Sequence, residues 1–176
     1  MRENVPDFGD LRLRYYPDPL LRRPAESVED IDEVVVKLAE RMIELMVREQ
    51  GIGLAASQLG VPVRIIVVSL SGQAEDAEAF INPELSNFQG WTEVEEGCLS
   101  IPGVRAKVRR PAACTVQAHD LDGNRFELDA VDLAATVFQH ETDHLNGTLF
   151  IDRIGAVSRL GCRKALKQLE LEYEGG

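Results

Sequence analysis

The sequence is poor in cysteine, histidine and tryptophan, and it contains no long hydrophobic run. Its 176 residues include three cysteines, three histidines and one tryptophan. An odd number of cysteines without a framework spacing argues against a small disulfide-stabilised secreted domain. The longest apolar run, residues 65–68, is far shorter than the ~20 residues that a transmembrane helix needs. We therefore expect neither a membrane protein nor a disulfide scaffold.

Positive charge is also scarce. Nineteen lysines and arginines stand against 30 aspartates and glutamates, which gives a formal net charge of −11 and disfavours general binding to DNA. Residues 1–10 carry acidic side chains and no apolar run, so they resemble neither a secretory signal nor a transit peptide. We expect a cytoplasmic protein with a single domain over residues 1–176. The sequence leaves open whether residues 1–10 are ordered.

Hydrophobic periodicity predicts an α+β fold. Apolar residues at helical spacing predict a first helix over residues 31–50, with Gly51 suited to its C-terminal end. Helical spacing returns at Asp132, and a C-terminal helix is expected over residues 158–174. Between them, short apolar or alternating segments predict strands at residues 63–69, 104–109, 115–121 and 125–128, and Asp122-Gly123 predicts a tight hairpin turn before the last of these strands. This order predicts a mostly antiparallel sheet packed around a central helix.

The strongest chemical pattern lies in that central helix, where residues 140–144 read H-E-T-D-H. Side chains four residues apart project from one helix face, so His140 and His144 can bind one cation. Glu141 stands beside the first histidine, where a carboxylate can act as general base on a water. An exposed polar helix would be the alternative, but two of only three histidines adopt this spacing within an apolar stretch. The spacing favours a metal site.

The third metal ligand stays open on spacing alone. A third histidine six residues after His144 would indicate a metzincin, but that position is Phe150. Cys98 offers a thiolate at the edge of the β region, while Cys114 and Cys162 are more typical of core residues. A carboxylate is the alternative, as in thermolysin-like sites, and the C-terminal helix offers Glu170, Glu172 and Glu174.

A second pattern is rich in small residues. Residues 51–58 read G-I-G-L-A-A-S-Q, which allows another chain to approach the backbone closely. Gln58 then offers amide donors. Glycine patterns are weak signals, however, and the segment is more typical of a helix cap followed by a tight turn with Gln58 exposed. On this pattern alone we favour the cap and turn.

Taken together, three segments resemble the signature motifs of peptide deformylases, in the family's order. They are residues 51–58 (G-x-G-L-A-A-x-Q), 96–100 (E-G-C-L-S) and 139–145 (Q-H-E-x-D-H-L). Residues 14–22 are similar to the family's opening segment, and Asn82-Pro83 to a recurrent strand end. The length and the C-terminal helix resemble the bacterial type I branch.

The resemblance implies a metallohydrolase that removes the formyl group from the N-terminal formyl-methionine of nascent polypeptides and releases formate. It implies attack on the formyl carbon by a metal-bound water. The implied metal ligands are Cys98, His140 and His144, and the implied catalytic residues are Glu141 as general base and acid, Gln58, and the backbone N–H of Leu99. The implied substrate-binding residues are Ile52, Gly53, Val94, Gly97, Arg105, Thr136 and Val137.

The resemblance also implies one divalent metal ion per chain, with Fe²⁺ expected in cells and Zn²⁺, Ni²⁺ or Co²⁺ as substitutes. Two other hypotheses are a zinc endopeptidase of the gluzincin type and a non-catalytic metal-binding relative. A basic face on the C-terminal helix suggests a transient contact with ribosomal RNA despite the acidic chain; its residues are Arg159, Arg163, Lys164 and Lys167.

Overall fold

Antiparallel strands between helices make up the computed structural model, which describes residues 8–174. The helices are α1 (Glu33–Arg48), α2 (Asp132–Leu145) and α3 (Ala156–Glu174). The strands are β1 (Gly53–Ala55), β2 (Ile65–Val68), β3 (Glu78–Gln89), β4 (Thr92–Cys98), β5 (Ile101–Arg110), β6 (Ala113–His119) and β7 (Arg125–Val131). Within these residues no helix is both long and apolar enough to cross a membrane. The sequence left open whether residues 1–10 are ordered, and residues 1–7 of that segment lie outside the described part.

The strands form two sheets. Five of them are paired in the order β1-β2-β3-β6-β7, and β4 pairs with β5 in a separate two-stranded sheet. Every named strand pair is antiparallel, which confirms the predicted α+β architecture with a mostly antiparallel sheet. The turn predicted at Asp122-Gly123 joins β6 and β7, with Gly123 in the left-handed region at φ 83°.

The five-stranded sheet lies between α1 and α2. Successive side chains of a strand point to opposite faces, and the residues of β2, all buried, alternate between two apolar clusters. On one face, Ile65 and Val67 pack with Met42 of α1. On the other, Ile66 packs with Phe138 of α2. Both faces are therefore covered, and α2 is buried along most of its length, as expected for a central helix.

The two-stranded sheet packs against α3. Every second residue of β5 from Val104 onward is buried, and Val104 and Val108 share a cluster with Phe150 and Cys162. This arrangement brings the end of β4 towards α2, so that residues from the two sheets meet at one edge of the central helix. Arg110 continues the inward alternation of β5 and is 2% exposed.

Two local expectations differ from the structure. The first helix ends at Arg48, and Gln50, not Gly51, takes the left-handed conformation with φ 59°. Gly51 serves a packing role, because a Cβ there would lie 2.8 Å from a methyl carbon of Leu99. Asn82-Pro83 does not end a strand: it lies inside β3, where Asn82 has φ 51° and the register with β6 shifts. A bulge accommodates the proline, which cannot donate to the ladder.

Candidate active site

A cleft of about 510 Å³ opens between β1, β4, β5 and α2. Most of the residues that the sequence analysis singled out line it: Ile52, Gly53, Gln58, Gly97, Cys98, Leu99, Arg105, Thr136, Val137, His140 and Glu141. His144 lies behind this lining and is 1% exposed. Val94 is not part of the lining, because it is half-buried on β4 opposite Val108.

Three side chains converge at the inner end of the cleft. The ligand atoms of Cys98, His140 and His144 all lie within 4.8 Å of one another, and the Cys98 Sγ lies 3.2 Å from the His144 Nε2. The histidines come from successive turns of α2, and the cysteine from the end of β4, where the register with β5 shifts. In residues 8–174 this is the only group of three such side chains close enough to hold a metal ion.

The donor set of this group fits a divalent transition metal. One sulfur and two imidazole nitrogens are ligands typical of Zn²⁺, Fe²⁺, Co²⁺ and Ni²⁺, whereas Mg²⁺ and Ca²⁺ prefer oxygen. Burial, together with the nearby His140, lowers the pKa of His144 well below its usual value. His144 is therefore neutral, as a metal ligand must be. Three protein ligands would leave a coordination position for water, which is typical of catalytic sites.

Glu96 orients the first histidine. Its Oε2 accepts a hydrogen bond from the His140 Nδ1 at 2.9 Å, which leaves Nε2 facing the group of ligands. Burial alone would raise the pKa of Glu96, but hydrogen bonds from Arg110 and His140 outweigh burial and lower it. Burial likewise opposes protonation of His140, yet hydrogen bonds to Cys98 and Glu96 raise its pKa well above the usual value. The His140 ring thus lies between Glu96 on its Nδ1 side and Cys98 on the side of the ligand group.

Arg110 holds this arrangement together, and sequence reasoning missed it. Its guanidinium pairs with Glu96 through Nε and Nη2, and its Nη1 donates to the Asp143 Oδ2 at 2.9 Å. Asp143 also pairs with Arg153. Arg110 thereby connects β4 with the helix that carries both histidines. The alternation of β5 could have indicated it, because a charged residue occupies the inward position that follows Val108.

Glu141 faces the cleft from a buried position. It is 5% exposed, and its Oε2 has no hydrogen-bond partner among the described residues. Burial raises its pKa to about 7, against the opposing effect of His140. A carboxyl group with a pKa near neutrality can both accept and donate a proton at physiological pH. The free oxygen is available to a substrate or a water.

Gln58 is buried, which contradicts the exposed position that the cap-and-turn interpretation predicted. It follows β1 in a short 3₁₀ helix and is 2% exposed. The backbone N–H of Ala55 donates to its Oε1 at 2.9 Å. Its Nε2 donates to the Ser100 Oγ at 3.1 Å and lies 3.6 Å from the Cys98 Sγ. The amide donor is therefore held beside the thiol.

The thermolysin-like alternative finds no support in the geometry. Glu170 lies on α3 and accepts a hydrogen bond from the Tyr16 hydroxyl at 2.8 Å, away from the two histidines. Among the described residues no glutamate of α3 belongs to the group of ligands. Cys114 and Cys162 are buried in separate apolar clusters, as expected for core cysteines.

Comparisons with known proteins agree with this geometry. A family model described as polypeptide deformylase matches residues 11–159. The peptide deformylase of Nitrosococcus oceani is 44% identical over 154 residues, which are 88% of this chain and 92% of that protein. The peptide deformylase of Acidobacterium capsulatum is 47% identical over 146 residues, covering 82% and 86%.

Solved structures show the same fold. The crystal structure of a plant peptide deformylase superposes with a TM-score of 0.93 at 35% identity, covering 98% of this chain and 95% of that one. Both the sequence and the fold are thus shared over nearly the whole length. The chain belongs to the peptide deformylase family, metal-dependent enzymes that remove the N-formyl group from newly synthesised polypeptides.

Proposed function

We propose that this chain carries out deformylation with Cys98, His140 and His144 as metal ligands and Glu141 as the proton carrier. The observation that carries the proposal is the convergence of the three ligand atoms within 4.8 Å at the inner end of the cleft that Glu141 and Gln58 line. When bound, a divalent cation lowers the pKa of a coordinated water far below that of bulk water, toward about 7.

Glu141 moves the proton. Its carboxylate accepts a proton from the attacking water and returns it to the amine as the formamide bond breaks. The pKa of about 7 suits both steps, because the group must be a base in the first and an acid in the second. Burial also keeps bulk water away from the carboxylate.

Gln58 and the backbone N–H of Leu99 stabilise the developing oxyanion. As the formyl carbon becomes tetrahedral, its oxygen gains negative charge, and donors fixed in advance stabilise that charge most effectively. The Gln58 Nε2 is held within 3.6 Å of the Cys98 Sγ, and Leu99 directly follows that cysteine. Both donors thus belong to the immediate surroundings of the ligands.

The substrate backbone is proposed to bind as an added strand. β1 is an edge of the larger sheet, β4 is paired only with β5, and both line the cleft. Gly53 and Gly97 allow a peptide to approach. Ile52, Thr136 and Val137 would surround the methionine side chain, and the hydroxyl of Thr136 is already bonded to the Asp132 carbonyl at 3.1 Å.

Val94 remains a proposed contributor to the methionine pocket, although it does not line the cleft in the structure. Arg105 is proposed to meet the peptide beyond its first residue. It lies at the rim of the cleft, exposed, with an oxygen of Glu95 at 3.9 Å. An exposed pair at that distance contributes little to stability, so Arg105 is free to contact a carbonyl or carboxylate of a peptide.

The activity is tested by formate release from formyl-Met-Ala-Ser, measured anaerobically on protein reconstituted with each candidate ion. We expect turnover of the formylated peptide and none of Met-Ala-Ser or its acetylated form. Cys98→Ser should lose both turnover and bound metal. Cleavage of unformylated peptides that persists in Cys98→Ser would contradict the proposal and favour an endopeptidase.

Gly53→Ala should lower kcat about 10²-fold while bound metal and thermal stability change little. An added Cβ would lie 2.5 Å from the Glu141 Oε1 and 2.9 Å from its Cδ, so the carboxylate must move. A displacement of about 1 Å at a catalytic group costs a factor of that order. Gly161→Ala is the control, because nothing lies within 4 Å of its added Cβ. Equal kcat in the two variants would contradict the expectation.

Fe²⁺ is proposed as the ion in cells, with Zn²⁺, Ni²⁺ and Co²⁺ as substitutes, in line with the family resemblance. A thiolate-ligated ferrous site is sensitive to oxygen. We expect the iron-loaded protein to lose activity during aeration and the zinc-loaded protein to keep its activity. Iron-loaded protein that stays fully active in air would contradict the ferrous assignment.

The cytoplasm is the proposed compartment, because the substrate is a nascent chain.

The exposed basic face of α3 is proposed to contact ribosomal RNA transiently. Arg159, Arg163, Lys164 and Lys167 are all exposed. Reversing these four charges should reduce co-sedimentation with ribosomes. The control reverses Lys37 and Arg48 on α1. Co-sedimentation unchanged by the α3 reversal would remove the proposal.

Residues 1–176 are proposed to act as one catalytic domain.

A further inference from the structure

The side-chain amide of Gln58 has two orientations, and its surroundings select one. Its oxygen faces the backbone N–H of Ala55 at 2.9 Å, and its nitrogen faces the Ser100 Oγ at 3.1 Å. A flipped amide would place its NH₂ group against the Ala55 N–H, with two donors facing each other. It would also place its oxygen beside the Cys98 sulfur, with two electron-rich atoms facing each other. The Ala55 N–H, which can only donate, selects the observed orientation, and the Ser100 hydroxyl accepts from the nitrogen in that orientation.

Ser100 is itself rigidly placed. It is 0% exposed, and its carbonyl oxygen accepts a hydrogen bond from the backbone N–H of Tyr16 at 2.8 Å. It is the last of three consecutive residues, beginning with the final residue of β4, that each contribute a different group to the site. Cys98 supplies the thiol, Leu99 supplies a backbone N–H, and Ser100 supplies the acceptor that holds Gln58. The hydroxyl therefore keeps a fixed position relative to the other two.

An amide NH₂ group has two hydrogens. One is donated to the Ser100 Oγ at 3.1 Å, and the other to the Cys98 Sγ at 3.6 Å. Because the amide is planar, holding the first hydrogen fixes the direction of the second. We infer that Ser100 is a positioning residue that acts through Gln58, by keeping the second amide hydrogen directed to the Cys98 side, where it meets the oxygen of the reacting formyl group. This inference rests on the proposed function, because it assumes the oxyanion role of Gln58.

Loss of the hydroxyl leaves the amide held by the Ala55 N–H and the long contact to the Cys98 Sγ, with one buried N–H without an acceptor. The amide can then rotate about its last side-chain bond and populate orientations in which no hydrogen faces the cleft. We expect Ser100→Ala to lower kcat about 10-fold to 30-fold, which is part of the ~10²–10³ that loss of a whole oxyanion donor costs. KM should stay within about twofold of wild type, because the contact matters in the transition state.

A double-mutant cycle tests the coupling. Ser100→Ala, Gln58→Ala and the double variant are compared in kcat on formyl-Met-Ala-Ser. We expect Ser100→Ala to lower kcat in the wild-type background and to have less than about a threefold effect in the Gln58→Ala background. An equal loss in both backgrounds would show that Ser100 does not act through Gln58, and would overturn the inference alone.

Two further readouts separate positioning from structural damage. Hydrogen exchange of the Gln58 side-chain NH₂ group, followed by NMR, should accelerate in Ser100→Ala. Metal content and the thiolate-to-cobalt absorption of Co²⁺-loaded protein should be unchanged. Thr115→Val is the control, since it removes another buried hydroxyl, one that donates to Asp129 on the far side of the sheet. Exchange at Gln58 that is unchanged in Ser100→Ala, or loss of metal in that variant, would overturn the inference.

Failure of the underlying function gives a different pattern. If the wild-type protein releases no formate, the proposed function falls, whatever the NMR measurement shows. If formate is released but Gln58→Ala keeps full kcat, the oxyanion role of Gln58 and the inference about Ser100 fall together, and the proposed metal ligands stand.

Discussion

Replacing Glu141 with alanine should remove nearly all turnover of formyl-methionyl peptides while the fold and the bound metal remain. The carboxylate is buried and free on one oxygen, and its pKa is raised to about 7. Positioned acid–base groups contribute about 10²–10⁴-fold to a rate, and Glu141 is proposed to serve both transfers. We expect kcat to fall at least about 10³-fold. Formate release under saturating substrate, together with metal analysis, measures the effect.

The matched control is Glu127→Ala, which removes an exposed carboxylate on β7, remote from the cleft. It should retain wild-type turnover. Because Glu141 adjoins His140, the metal content of each preparation must be equal before rates are compared. Turnover near the wild-type rate in metal-loaded Glu141→Ala would show that the proton carrier is a different group.

Arg110→Met should both destabilise the protein and weaken its hold on the metal. The guanidinium is 2% exposed and pairs with Glu96 and Asp143. Removing one partner of a buried ionic group leaves unpaired buried charges, at a cost of about 3–5 kcal/mol. Glu96 would also lose the partner that holds it against His140. Loss of such supporting contacts weakens metal binding by about 10–100-fold.

Urea unfolding of the metal-free protein and competition with a chelator measure the two effects separately. Arg153→Met is the control, because Arg153 contacts the same Asp143 from a partly exposed position, with its side chain 44% exposed. It should cost less than about 1 kcal/mol. Arg110→Met with wild-type stability and metal affinity would show that the buried network has no such role.

Local sequence patterns were sufficient to predict several of the helices, strands and turns. The period of a helix alone places His140 and His144 on one face, whatever the rest of the chain does, and α2 begins at Asp132, as predicted. α1 begins at Glu33, two residues later than predicted, and its start is also set locally, because the Asp32 side chain caps it by accepting from the Val35 N–H. Alternation in β5 and the turn at Gly123 were readable for the same reason.

Other elements depended on neighbours that a local pattern does not contain. β1 has three residues, all buried, and its pattern of small side chains is explained by the approach of Glu141 to Gly53. β3 runs through Asn82-Pro83, which reads as a break, because pairing with β2 and β6 and a bulge outweigh the local signal. The burial of Gln58 likewise follows from its contacts with Ser100 and Cys98.

The sequence by itself determined the class of chemistry: two imidazoles and a carboxylate on one helix face, in a chain whose three ordered motifs resemble one family. Only the tertiary structure decided which further group meets them. The sequence left a thiol and several carboxylates as candidates for the third ligand, and the packing of β4 against α2 brings the Cys98 sulfur to 3.2 Å from His144. The contacts of Arg110 and Ser100 with their neighbours were likewise decided by the tertiary structure. They join segments that are distant in the chain, so they depend on how sheets and helices pack and produce no periodic pattern in the sequence.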